Sequence, residues 1–193
     1  MGAKISLGWV STNINISNEY NILINNLKLL GVKINCVKFS SDNSGFHWSE
    51  IEDYRTYSNK KLLSILKELR FLEISISNFP FGKLTIDAVI KLEVTNKYFG
   101  FLLEMEESSI ISSYKIKELE TAEDLIIQYL NLIFKNFNVD YAFSDQEAEV
   151  EFSPEEYKQL ERPYYAIEAR RGHDGKVKIT KANWYINGLT QRL

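Results

Sequence analysis

Four acidic residues stand at alternate positions in one segment of the chain: Asp145, Glu147, Glu149 and Glu151. We predict a strand over residues 139–152, which a bulge or break at Ser144 and Asp145 could interrupt, and alternate side chains of a strand point to opposite faces of the sheet. The four carboxylates would form a row on one face, spaced by roughly 6 to 7 Å, within the roughly 8 Å screening length of physiological salt. Because they repel one another, solvent, basic side chains, a bound cation or a basic partner must offset their charge.

Three interpretations of this acidic row remain open. In the first, the basic residues of the following hairpin pair across strands with Glu147, Glu149 and Glu151, and each pair contributes about 0.2 to 1 kcal/mol. These basic residues are Arg170, Arg171, Lys176 and Lys178. In the second, the row is exposed and contacts a basic protein, where charge matching speeds the encounter. In the third, the row is the active site of a carboxylate-dependent metal hydrolase or nuclease.

The side chains that metal binding and nucleophilic catalysis usually require are scarce in this chain. It contains two histidines, His47 and His173, and one cysteine, and none of them stands at the spacing of a zinc site. It has no phosphate-binding loop, dinucleotide fingerprint, calcium loop or nucleophile elbow. We therefore predict no cofactor and no metal, and favour a protein that is not an enzyme. Cys36 lies in an apolar run and is predicted to be a buried, unreactive thiol.

The composition indicates one folded domain over residues 1–193. Hydrophobic residues make up 45% of the chain and aromatic residues 13%, which indicates a substantial core and argues against disorder. The net charge of −3 is too small to indicate a nucleic-acid or membrane-surface partner. We find neither a signal peptide nor a membrane-spanning run and expect a cytoplasmic protein, whose oligomeric state the composition leaves open.

Hydrophobic periodicity predicts an α+β fold. The predicted elements, in chain order, are strands at residues 4–10 and 32–39 with a helix between them, a helix over residues 58–69, an antiparallel meander over residues 71–106, a helix from Thr121, the acidic strand, a short helix after Ser153, and a hairpin over residues 164–180. Ser17 or Asn18 would cap the first helix, and a crossover would join the first two strands if they are parallel neighbours. We expect a largely antiparallel sheet with about four helices packed mainly on one face.

Three other stretches carry separate expectations. Residues 40–57 have no clear period and are either a functional loop or a loop held to the core by its aromatic side chains. Glu104 and Glu106 form a second short acidic row, which we interpret as solvated surface. A subdivision of the domain, if there is one, is expected near residues 108–117.

Two segments of the C-terminal half resemble a known family. They are residues 143–156, FSDQEAEVEFSPEE, and residues 183–192, NWYINGLTQR. In this combination the chain is similar to immunity proteins of bacterial polymorphic-toxin systems. The resemblance implies a small, cytoplasmic, non-catalytic α+β domain that binds and blocks a cognate toxin.

The resemblance also implies which residues contact the toxin. The implied contacts are Asp145, Glu147, Glu149 and Glu151, because toxins of these systems are often nucleases with basic sites that an acidic surface would complement. The conspicuous residues of the second segment, from Trp184 to Arg192, are interpreted as a structural turn. Our leading hypothesis is an immunity protein that neutralises a basic toxin by stoichiometric, charge-complementary contact, and the alternative is the metal hydrolase or nuclease.

Overall fold

The fold is a single antiparallel sheet, seen in a computed structural model that describes residues 2–12, 15–42, 45–51, 70–172 and 174–192. Within these residues the strands are β1 Lys4–Ser11, β2 Lys33–Ser40, β3 Ser49–Ile51, β4 Phe71–Phe81, β5 Leu84–Val94, β6 Phe99–Glu106, β7 Tyr141–Gln146, β8 Ile167–Arg171 and β9 Val177–Lys181. Their order across the sheet is β3-β2-β4-β5-β6-β1-β7-β8-β9. Every neighbouring pair is antiparallel, as the largely antiparallel prediction requires.

Three α-helices lie in the described residues, compared with about four expected. They are α1 Ile16–Leu29, α2 Ile116–Asn136 and α3 Pro154–Lys158. The helix expected at residues 58–69 falls outside the described part of the chain. None of the described helices combines the length and apolar character that a membrane-spanning helix needs.

Both long helices begin earlier than predicted, because polar side chains organise the residues at their N-termini. Asn15, rather than Ser17 or Asn18, caps α1, and its Oδ1 accepts a hydrogen bond from the Asn18 backbone at 3.2 Å. Helix α2 begins at Ile116, five residues before Thr121, and a 3₁₀ turn at Glu107–Ser109 precedes it. The region near residues 108–117 therefore contains this turn, a short connection and the first turn of α2.

One face of the sheet, here called the helix face, carries the main core. In the meander, Leu72, Ile74 and Ile76 alternate with half-buried residues, as the period-two pattern predicts. Strands β5 and β6 continue the same face in register with β4. Helices α1 and α2 cover it, and Leu23 and Ile133 from these helices lie beside Leu7 of β1. Helices α1 and α2 therefore pack on the same face of the sheet, as predicted.

The opposite face, here called the second face, carries a smaller aromatic cluster under the segment that follows β7. Tyr141 and Phe143 of β7 stack there on Tyr157 of α3 and on Tyr165, with ring centroids 3.7 and 4.0 Å apart. Gly8 on β1 makes room for this layer, because a Cβ atom at that position would overlap the ring of Phe143. Helix α3 therefore lies on the second face, across the sheet from α1 and α2.

The first two strands are not neighbours, which corrects the predicted crossover. Strand β1 lies between β6 and β7, and β2 lies between β3 and β4, so that three strands separate β1 from β2. The complete meander β4-β5-β6 fills that space, and only tertiary pairing decides this order. The predicted final hairpin is confirmed as β8 and β9, and the predicted start of α3 is confirmed as a capping box between Ser153 and Glu156 with Pro154 in the first turn.

The cysteine is more exposed than predicted. Cys36 lies in β2 near the edge of the sheet, is only partly buried, and places its Sγ atom 3.1 Å from Oε1 of Glu50. Burial and the neighbouring Glu50 carboxylate both raise the pKa of the thiol. The raised pKa disfavours the reactive thiolate, so the thiol is of low reactivity although it is not fully buried.

Candidate functional site

The acidic segment is a strand only in its first half. Strand β7 ends at Gln146, and Glu147 has a φ angle of 52°, which turns the chain out of the extended conformation. The next residues cross the second face without strand pairing, whereas the prediction continued the strand to residue 152. The predicted row of four carboxylates on one face is therefore wrong, because the strand ends between the first and second of them.

The apolar side chains whose alternation suggested a longer strand nevertheless pack against the sheet. Ala148, Val150 and Phe152 lie against the aromatic cluster of the second face, and Glu147, Glu149 and Glu151 are exposed. The segment lies on the sheet as a layer, with its apolar side chains directed inward. Gly100 of β6 permits this close approach, since a Cβ atom there would lie 2.8 Å from both γ-carbons of Val150.

Asp145 is buried and holds two distant backbone segments. Its Oδ2 atom accepts hydrogen bonds from the backbone N–H of Ala166 at 2.8 Å and from the indole N–H of Trp184 at 3.0 Å. Burial raises the pKa of this carboxyl group, although the bonds from Trp184, Gln146 and Ala166 act in the opposite direction. This residue, which was predicted to contact a partner, is 9% exposed and its carboxylate is used inside the fold.

The three remaining acids of the segment are exposed, and two of them accept hydrogen bonds within the fold. Glu147 accepts a hydrogen bond from the Lys4 backbone N–H at 2.7 Å, and Glu151 accepts one from the Tyr164 hydroxyl at 2.6 Å. The side chain of Glu149 has no hydrogen bond or ion pair to any residue that the structure describes. Glu149 is thus the member of the segment whose carboxylate remains available.

The predicted cross-strand ion pairs between the acidic segment and the final hairpin are absent among the described residues. Strand β8 pairs only with residues 141–144 of β7. This register places Arg170 opposite Tyr141 and not opposite the acidic segment. The guanidinium of Arg170 lies over the ring of Tyr157 and 3.4 Å from Glu168, and Arg171 donates to the carbonyl of Phe134. Lys176 and Lys178 lie on or beside β9, the edge strand beyond β8.

Glu104, predicted to be solvated surface, is buried and paired. Its two carboxylate oxygens lie 2.7 Å from the Nζ atom of Lys4 and 2.5 Å from that of Lys91. Burial alone would raise its pKa, but the two lysines hold the pKa of Glu104 below its ordinary value. Glu106, two residues along β6, is exposed as expected.

Beside the acidic segment, described residues of the second face line a groove of about 330 Å³, here called the acidic groove. Among the residues that line it are Trp48, Phe71, Glu73, Lys91, Glu93, Glu149 and Val150. These residues come from the loop before β3, from β4, from β5 and from the segment after β7. The groove therefore combines aromatic and aliphatic surface with three carboxylates.

None of these three carboxylates forms an ion pair with a residue that the structure describes. Lys91 lies directly across from Glu73 in the sheet, but its Nζ atom is bound to Glu104. Glu93 is partly buried, and its pKa is raised first by burial and then by the negative charge of Glu149. Arg70 lines an adjacent hollow without forming an ion pair with Glu93 within 4.0 Å. Glu93 and Glu149 therefore place like charges next to each other at the groove.

Glu123 is a buried acid of α2 that the sequence analysis did not single out. It is 0% exposed, and its carboxylate lies 3.0 Å from Nζ of Lys181 and 2.5 Å from a guanidinium nitrogen of Arg192. It also accepts a hydrogen bond from the Ile186 backbone at 3.1 Å. The sequence does carry a signal, because Glu123 precedes Ile126 by three residues and therefore lies on the apolar stripe of α2.

The C-terminal segment is structural, as expected. Trp184 is bonded to Asp145, Arg192 to Glu123, and the segment closes on itself through a bridge between Trp184 and Gln191. Asn187 accepts a hydrogen bond from the Thr190 backbone at 3.2 Å within the same turn. The two segments that carry the family resemblance therefore contact each other in the fold.

Within the described residues, the architecture defines a small α+β protein whose sheet is covered by α1 and α2 on one face and carries an acidic groove on the other. A family model described as Immunity protein 64 matches residues 8–192, so the chain belongs to this family of immunity proteins. The predicted resemblance is confirmed, and it extends over most of the chain rather than the C-terminal half.

A crystal structure of the toxic C-terminal tip of CdiA from Pseudomonas aeruginosa in complex with an immune protein contains a chain of similar fold. The match has a TM-score of 0.47 and 11% sequence identity, and covers 76% of this chain and 88% of that chain. No curated protein gives a significant match.

Proposed function

We propose that this immunity protein neutralises its cognate toxin by stoichiometric binding, without catalysis, and that the acidic groove is part of the contact surface. The observation that carries the proposal is the pair Glu93 and Glu149, two carboxylates that lie beside exposed aromatic surface and form no ion pair with any described residue. A partner with basic side chains would neutralise this charge. Charge matching of this kind raises association rates and selects the partner.

The same residues favour binding over the alternative of a carboxylate-dependent metal hydrolase or nuclease. A metal site needs carboxylates that converge on one point. The acids of the segment diverge instead, since Asp145 bonds to Trp184, Glu147 to the Lys4 backbone and Glu151 to Tyr164. The proposal retains three exposed acids as contacts, Glu147, Glu149 and Glu151, of which Glu149 lies at the groove. Asp145 is assigned to the fold.

The test is calorimetric titration of the protein with the toxin domain encoded beside it. We expect one-to-one stoichiometry, and we expect the double variant Glu93→Gln, Glu149→Gln to bind at least about tenfold more weakly at low salt. The matched control is Glu120→Gln, Asp124→Asn, which removes the same charge from exposed positions of α2 on the other side of the sheet. The control should bind like the wild type, and equal weakening by both variants would reject the groove as the contact surface.

A further inference from the structure

We infer that the acidic groove is a receptor for one arginine side chain of the toxin, with Glu93 and Glu149 contacting the guanidinium and Trp48 and Phe71 forming an aromatic wall beside it. The inference rests on the proposed function and specifies the residue type that the partner must present. Size, charge and wall chemistry each support it.

The dimensions of the groove suit a single side chain. Its volume of about 330 Å³ lies at the lower end of the range of roughly 300 to 1,000 Å³ found for small-ligand sites. An entire helix or strand of a partner would not fit into a hollow of this size. The natural occupant is therefore one long side chain that projects from the surface of the partner.

Among the described residues, no basic side chain forms an ion pair with Glu93 or Glu149. Glu93 is partly buried next to Glu149, and the nearest lysine along the groove, Lys91, is already bound to the buried Glu104. Lys38 lies toward the edge of the sheet, with its Nζ atom 3.8 Å from Glu50. A guanidinium placed in the groove would offset the charge of these two carboxylates.

The aromatic wall distinguishes arginine from lysine. Trp48 is 44% exposed, unusually high for a tryptophan, and its ring centroid lies 6.5 Å from that of Phe71. Its indole N–H donates to the Gly45 carbonyl at 2.7 Å, which holds the ring in place before any partner arrives. A planar, weakly hydrated guanidinium stacks on such a ring and bonds to carboxylates in its own plane, whereas the compact ammonium of lysine does not.

Neighbouring bonds restrain the loop that carries Trp48. The Asp42 carboxylate accepts hydrogen bonds from the backbones of Phe46 and His47, the second at 2.8 Å. An aromatic side chain that is ordered in advance loses little conformational freedom on binding. The described part of the predicted 40–57 loop is thus restrained by hydrogen bonds and also contributes to the groove. In this inference the loop is both held in place and functional, which combines the two interpretations given for residues 40–57.

The probes for this inference are N-acetylarginine amide and N-acetylcitrulline amide, which have nearly the same shape but differ in charge. We would titrate each into the full-length ¹⁵N-labelled protein and follow the Trp48 indole and Gly100 amide signals. Arginine amide should give saturable shifts with a dissociation constant on the order of 1 mM, a value suited to one isolated side chain. Citrulline amide should give no saturable shift, and N-acetyllysine amide should bind several-fold more weakly.

Two variants assign the response to the groove. Glu93→Gln and, separately, Glu149→Gln should each abolish saturation by arginine amide, while Glu120→Gln should leave it unchanged. Glu149 lies in an exposed, irregular segment, so its variant keeps the test valid even if Glu93→Gln disturbs β5. Equal responses to arginine and citrulline, or an arginine response that survives both variants, would overturn the inference.

The arginine titration and the toxin titration can fail separately. If the groove variants weaken toxin binding but arginine amide produces no saturable shift at the groove, the proposed function stands and the arginine inference is wrong. If arginine amide binds at the groove but the variants do not weaken toxin binding, the toxin contact lies elsewhere. That result would overturn both the groove as contact surface and the inference that it receives an arginine of the toxin.

Discussion

The indole nitrogen of Trp184 donates a hydrogen bond to Oδ2 of Asp145 at 3.0 Å, across 39 positions of sequence. The same oxygen accepts the backbone N–H of Ala166, one residue before Ile167, which pairs with Ser144 in the ladder of β7 and β8. One carboxylate therefore fastens both β8 and the C-terminal segment to the end of β7. This explains why an aspartate in an acidic segment belongs to the fold although its neighbours are exposed.

Replacing Asp145 should destabilise the protein. Asp145→Asn puts an NH₂ group or a single carbonyl oxygen where several donors converge, so at least one donor loses its partner. We expect a loss of about 1 to 3 kcal/mol in the free energy of unfolding, measured by urea denaturation. Glu149→Gln is the control and should change it by less than about 0.5 kcal/mol, because this side chain is exposed.

A double-mutant cycle tests whether Trp184 acts through Asp145. Trp184→Phe keeps most of the ring but removes the indole donor, and alone should cost about 1 kcal/mol. In the Asp145→Ala background, which offers no side-chain acceptor, the same change should cost clearly less, because the bond is already absent. Strict additivity of the two losses would show that the bond contributes nothing to stability.

Glu123 should be the most sensitive of the buried acids. Glu123→Gln leaves the side chains of Lys181 and Arg192 without the carboxylate that pairs with both, and we expect a loss of about 3 to 5 kcal/mol in unfolding free energy. Glu120→Gln, in the same helix but exposed, should change it by less than about 0.5 kcal/mol. Similar values for the two variants would contradict the buried network.

The close approach of β1 to the aromatic cluster predicts a steric effect. Gly8→Ala would direct a methyl group into the ring of Phe143, and overpacking of this kind costs about 1 to 3 kcal/mol. Adding Phe143→Leu should recover part of the lost stability, since the smaller side chain vacates space above Gly8. Thermal melting of the single and double variants measures this, and a further loss in the double variant would refute the packing argument.

Glu118 predicts a pH effect at the start of α2. Its carboxylate accepts backbone and hydroxyl hydrogen bonds from Ser112 and Ser113, which lower its pKa from 4.5 to about 2. Because the folded-state pKa is lower than the unfolded one, these bonds stabilise the protein above pH 4.5 and lose that effect as the pH falls toward about 2.

Carboxyl NMR titration checks this pKa directly. Ser112→Ala should raise the pKa of Glu118 toward its ordinary value, because a hydroxyl donor is removed. Glu118→Gln should flatten the dependence of stability on pH in this acidic range. An unchanged pKa in the serine variant would show that the hydroxyl does not contribute.

Local features of the fold were predictable from the sequence because they depend on near neighbours. The period-two meander, the capping box of Ser153 and Glu156, and the final hairpin all follow from the order of a few adjacent residues. The end of β7 did not follow from such a pattern. Ala148, Val150 and Phe152 alternate as they would in a strand, yet the side chains pack on the sheet while their backbone leaves it at Glu147.

The sequence by itself determined the class of fold, the scarcity of catalytic side chains and the family resemblance, since composition, periodicity and motif are properties of the chain. Only the tertiary structure decided which acids are buried and which remain free. Asp145 and Glu149 look alike in the sequence, but one meets Trp184 and the other Glu93, residues that are distant along the chain. The environment of a carboxylate depends on strand order, and strand order is decided by packing over the whole sheet.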